Sequence, residues 1–202
     1  MIKRIITILL GGAITAFGIA SLVNSGLGCF GITAAYIGLA NLFGVPLTVI
    51  SLVIEGLMLV YVCYKGEGVG LSSILACSYV SLLIDIFKLI LPHHSLMVIF
   101  GICTMLGWAI TASADLGEGP TNILTTTLVK STGKSVAYIR TIIDAIYFIV
   151  ALLTARQHIT IVSIVLVFVT GKLTEMFYKL FKYDPVNVKH DYIIQLKHNK
   201  CE

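Results

Sequence analysis

Positions 5–23 read IITILLGGAITAFGIASLV, an apolar stretch without a single charged side chain. Wound as an α-helix at about 1.5 Å per residue, such a stretch is about as long as the hydrocarbon core of a bilayer is thick. Runs of the same kind return at 47–64, 69–91, 96–114, 136–154 and 159–181. Two shorter runs, 32–43 and 121–129, stand between them, each after a glycine-rich break. Lys3 and Arg4 ahead of the first run resemble the start of a secretory signal, but the run is too long and is matched inside the chain, so it is read as a helix.

Composition agrees with lipid as the solvent. Of the 202 residues 57% are hydrophobic and 12% charged, and mean hydropathy is +0.98. Soluble domains carry roughly 25% charged residues. The net charge of +4 is too small and too scattered for a nucleic-acid footprint. The five cysteines show no CxxC pairing, and four lie in or beside apolar runs, where thiols act as small hydrophobes.

Sliding the chain along itself by 89 residues places Gly12 on Gly101, Gly18 on Gly107, Gly28 on Gly117 and Gly44 on Gly133. The same shift puts Thr15 on Thr104, Leu27 on Leu116 and Glu55 on Asp144; one further inserted residue puts Ser73 on Ser163 and Asp85 on Glu175. Chance gives about one glycine match at any one offset, so a duplicated unit is the better account. The expected architecture is an all-α polytopic transmembrane helical bundle of two repeats, 1–91 and 92–182, with short or broken helices after Gly-rich turns. A polar tail, 183–202, is expected on the cytoplasmic side.

Three features carry a resemblance: Asn24-Ser-Gly-Leu-Gly-Cys-Phe-Gly, Asp115-Leu-Gly-Glu-Gly-Pro-Thr-Asn, and Arg140 four residues before Asp144. With these the chain resembles the YczE/YyaS/YitT family of bacterial membrane proteins over roughly residues 5–181. The resemblance implies a bacterial cytoplasmic membrane and a two-unit helical fold; it lends no catalytic residue. Cys29-Phe30-Gly31 departs from the family's proline form of the motif in the first unit.

Basic residues stay on the cytoplasmic side, and Lys3, Arg4, Lys179, Lys182 and Lys189 place both termini there. The number of crossings must then be even. If both short runs span there are eight and the repeats are parallel; if both are re-entrant there are six and the repeats are inverted. Charge counting does not separate these, and the uncharged run 32–43 inclines the reading to eight.

Polar groups at membrane depth are the candidates for function, because a carboxylate there costs about 2.5–3.5 kcal/mol on insertion scales. Glu55 and Asp144 each stand eight positions into their runs, and Arg140 lies one helical turn from Asp144. Gly26, Gly28 and Gly31 let the chain turn and approach a ligand closely; the competing reading is close helix packing. Pro120 suits a first helical position, flanked by Asp115 and Glu118, with Thr121 and Asn122 opening a polar short helix. One neutral and one acidic loop favour a cation, an amine or a zwitterion over a plain anion. Asp85 and Glu175, beside Lys88 and Lys179, read as interfacial pairs.

No histidine lies in an apolar run, and no Ser/His/Asp set, metal-ligand set or Walker loop occurs. No enzyme activity, metal or cofactor is therefore expected. The function expected is secondary transport of a small solute or ion through a site at the repeat interface. The alternative is a membrane accessory or scaffold protein that binds a membrane partner or a second copy of itself.

Overall fold

The computed structural model describes residues 2–114, 116–156, 159–184 and 192–194. Eight helices form among the described residues: α1 (Ile2–Asn24), α2 (Gly31–Phe43), α3 (Leu47–Tyr64), α4 (Leu71–Ile90), α5 (Ser95–Ala112), α6 (Pro120–Thr132), α7 (Val136–Thr154) and α8 (Ile161–Leu180). Six are long and apolar enough to cross a membrane, making this an all-α polytopic helical bundle. The other two, α2 and α6, have 13 residues each, about 20 Å of helix against a core of about 30 Å.

Local sequence explains the boundaries. Gly44 and Gly133 end α2 and α6 in the left-handed conformation, at φ 65° and 68°, where a side chain would be strained. Pro120 opens α6, where its missing N–H is no loss. Ser135 and Thr160 cap α7 and α8 by accepting the Tyr138 and Val162 amides. α4 is interrupted by one π turn, Ala76–Val80.

In lipid, helices gain little from burying apolar surface and associate through close packing instead. α1 and α5 illustrate this. A Cβ on Gly18 would lie 2.5 Å from the Thr104 amide nitrogen, and one on Gly11 would lie 2.7 Å from the Thr111 methyl. One on Gly101 would lie 2.6 Å from Leu22, and one on Gly107 would collide with Thr15. Positions rising along α1 meet positions falling along α5, so the two run antiparallel with their backbones nearly touching. The short helices cross over: α2 packs on α7, and α6 packs on α3. Large apolar side chains such as Leu57, Val60, Leu89, Leu153, Ile161 and Phe168 are exposed on the outside, where lipid would cover them.

Three contacts bear on the number of crossings. The Lys130 ammonium lies 3.0 Å from the Glu67 carboxylate, joining the end of α6 to the turn after α3. Asn24 at the end of α1 donates to the carbonyls of Lys88 and Leu91, at 3.0 and 2.8 Å, at the end of α4. Val69–Gly70 (β1) pairs antiparallel with Tyr192–Ile194 (β2) in the tail. Eight crossings would put Glu67 and Lys130 on opposite faces of the bilayer, and likewise Asn24 and Lys88. Six crossings, with α2 and α6 re-entrant from opposite faces, keep each pair on one face, and the inclination to eight does not fit these contacts. An uncharged run is compatible with spanning, but 13 residues do not reach.

Asp85 accepts from the Thr48 hydroxyl at 2.9 Å with Lys88 at 3.9 Å, and Glu175 pairs with Lys179 at 2.8 Å. Both are pairs near helix ends, as their positions suggested. Gly18→Leu should wedge α1 from α5 and lower stability by about 1–3 kcal/mol, seen as a reduced melting temperature in detergent. Gly56→Ala, where a Cβ meets nothing within 4 Å, should leave it unchanged.

Candidate functional site

A cavity lies between α1, α3, the π turn of α4 and the first turns of α2 and α6. About 100 Å³ of it is accessible to the centre of a water molecule. Its walls are mostly apolar, with Ile19, Ile32, Leu47, Leu75, Val80 and Ile84 among them. Into these walls are set Glu55 from α3, Thr121 and Asn122 from α6, Arg140 from α7, and the Trp108 ring from α5. A π turn beside such a site is a recurrent device, since the extra residue re-aims side chains without breaking the helix.

Arg140 organises the polar part. It is 1% exposed, and its Nε donates to Asp144 Oδ2 at 3.3 Å, one turn away. One terminal nitrogen donates to Asn122 Oδ1 at 2.8 Å, and the guanidinium lies 4.3 Å over the Trp108 ring. A guanidinium has five N–H groups. Two find acceptors among the described residues, leaving donors on a residue that lines the cavity. Asp144 Oδ1 is buried with no hydrogen-bond partner among the described residues, and its Oδ2 pairs with Arg140. Glu55 stands on α3, across the cavity lining from the Arg140 group, and makes no ion pair among the described residues.

The N-terminus of α6 adds to the donor set. Gly119 precedes it with no capping side chain, and the amides of Asn122 and Ile123 turn back to the Gly119 carbonyl at 2.9 Å. Thr121 stands at the positive end of the helix dipole and is part of the cavity wall.

Of the positions singled out in the sequence, Glu55, Thr121, Asn122 and Arg140 line one cavity, with Asp144 behind Arg140. The three glycines do not line it. Gly28, at φ 111°, is pressed against Thr160 and Ser163, and a Cβ on Gly31 would lie 2.9 Å from the Asp144 carbonyl oxygen. Gly26, at φ 67°, has open space around it. The first two serve close packing of the loop and of α2, and Gly26 serves the turn. Glu118 is also outside the cavity wall; 1% exposed, it accepts from Thr126 Oγ1 at 2.8 Å and from the Tyr183 hydroxyl. Burial pushes its carboxyl above the usual range, and Tyr183, Thr126, Lys130 and Arg140 pull it only part-way back. Asp115 lies outside the described residues. Trp108 and the π turn went unread: an aromatic in an apolar run carries no local mark of a cavity, and a π turn has none in spacing.

These features define a multi-pass helical membrane protein with a charged cavity among its spans. The chain belongs to DUF6198, a family of unknown function, whose model matches residues 2–179. No curated protein and no solved structure matches it.

Removing one partner of a buried ion pair leaves an uncompensated charge, at about 3–5 kcal/mol. Asp144→Ala should therefore destabilise the detergent-solubilised protein strongly. The double change Asp144→Ala with Arg140→Met should recover most of the loss in the same thermal melt.

Proposed function

We propose that this protein is a secondary transporter whose cavity binds a small zwitterion, its carboxylate at Arg140 and the start of α6 and its ammonium at Glu55. The observation that carries the reading is the pairing of unlike charges in one apolar cavity: among the described residues, Arg140 has N–H donors to spare and Glu55 has no cation. A plain cation would meet Arg140, and a plain anion would meet Glu55. A zwitterion satisfies both, and the expected cation, amine or zwitterion narrows accordingly.

The arrangement of contacts supports transport by two inverted repeats. Gly18 packs on Thr104 and Gly107 on Thr15, which are the same contact seen from each half at the 89-residue shift. Likewise the Cys29 amide donates to Ser163, and Ser73 donates to the Glu118 carbonyl. Three crossings per half with antiparallel α1 and α5 suit an in-plane pseudo-two-fold, the plan on which many carriers rock between two open states. Lys3, Arg4, Lys65, Lys130, Lys134, Lys179 and Lys182 fall at one end of a six-crossing arrangement, with Lys88 and Arg156 at the other, which supports a cytoplasmic placement of the first end. The resemblance to the YczE/YyaS/YitT family supports a bacterial cytoplasmic membrane.

The test is uptake of a panel of small labelled zwitterions, neutral amino acids and betaines, into liposomes holding the purified protein. Saturable uptake is expected, with Glu55→Gln and Arg140→Lys each reducing it about ten-fold or more, the equivalent of about 1.4 kcal/mol. Deleting residues 185–202 should leave it intact; for an accessory protein acting through its tail, that deletion would be the damaging change. Absence of uptake for every zwitterion, with no response of Trp108 fluorescence to any of them, would sink the transport reading.

A further inference from the structure

A second, more open cavity lies at the end of the bundle where α6 finishes, lined by Lys130, Lys134, Glu175, Lys179, Tyr178 and Tyr183. Glu118 and Tyr183 link the linings of the two cavities. Gly119 is in the wall of the central cavity, Glu118 is the next residue, and Tyr183, which bonds Glu118, is in the wall of the outer one. Tyr183 is buried and packs edge-on against Tyr178, with ring centroids 4.9 Å apart.

We propose that Glu118 is a proton-binding site and that Tyr183, held on it, is the bolt that closes the central cavity from the outer one. The inference rests on the central cavity being a binding site, though not on what occupies it.

Both carboxyl oxygens of Glu118 are engaged, one by Tyr183 and one by Thr126. A neutral carboxylic acid keeps both bonds, because its carbonyl oxygen accepts from one hydroxyl while its O–H donates to the other. The ionised form also accepts twice, but it does so as a charge sealed from water. The groups acting on it are Lys130 from α6, Arg140 from α7, Tyr178 from α8, and Tyr183 and Thr126 directly. They offset burial incompletely, and the carboxyl stays above its usual range. The sign follows by linkage. The closed layer binds the proton more tightly than hydrated Glu118 does, so protonation favours closure. Loss of the proton as pH rises through the raised value favours opening to water.

Trp108 is the chain's only tryptophan, and it lines the central cavity. Its quenching by acrylamide therefore reports water access there, whether or not anything is transported. With the full-length protein in lipid nanodiscs, the quenching constant should rise about two-fold or more between about pH 5 and about pH 9. Glu118→Gln keeps both hydrogen bonds and should hold quenching at the low, acid-side value at every pH. Tyr183→Phe, which removes only the hydroxyl, should raise quenching at acid pH toward the alkaline value. Asp85→Asn, at a carboxylate outside both cavities, should retain the wild-type profile, which separates the transition from a general effect of removing an acid. Unchanged helical circular dichroism and elution volume check that each variant is folded. A pH-independent wild type, or a Glu118→Gln variant that keeps the wild-type profile, overturns the proposal. A Tyr183→Phe variant that matches wild type removes Tyr183 from it. If quenching behaves as expected while no zwitterion is taken up, the bolt stands and the transport reading falls.

Discussion

A guanidinium cannot shed its charge, and Arg140 places one where almost no water reaches. Much of the surrounding polar chemistry follows from that. Asp144 neutralises it from the same helix, Asn122 accepts from it across a helix boundary, and Trp108 offers its ring face. The same three partners fix the guanidinium in one orientation, so its remaining donors serve a fixed place in the cavity. A cation so held is preorganised for a carboxylate, with no reorganisation needed when the ligand arrives.

The second constraint is that helices in lipid must touch closely to hold together. Small residues at the α1–α5 seam bring two backbones together over most of their length, and this seam joins the two halves. Because α2 crosses to α7 and α6 crosses to α3, neither half is a separate body; each supplies a short helix to the other. The first turn of α6 thereby meets Arg140, and the first turn of α2 meets the wall bearing Glu55. The cavity lies where the starts of two helices too short to cross come together, and Thr121 and Asn122 of α6 find protein and cavity there in place of lipid.

Elements that depend on neighbours in the chain were legible. The runs 47–64 and 136–154 coincide with α3 and α7, and the short runs differ from α2 and α6 only at their ends. Arg140 and Asp144 met as their four-residue spacing required. What neighbours in the chain could not show depended on partners far along it. Gly28 and Gly31 suggested a ligand loop, and the structure packs them against Ser163 and the Asp144 carbonyl, away from the cavity wall. Glu118 looked like a companion of Thr121 and Asn122, but Tyr183 takes its carboxylate away from the cavity.

From its residues alone the chain determined its solvent, its helices and which few charges would be held at depth, because hydropathy, helix length and one-turn spacing are properties of neighbouring residues. Only the tertiary structure decided that eight crossings do not fit and which charges share a cavity. Glu67 reaches Lys130, Asn24 reaches Lys88, and Glu55 faces the space beside Arg140 across separations no local pattern encodes. Those pairings arise from how closely small side chains let helices approach, which is a property of two surfaces together.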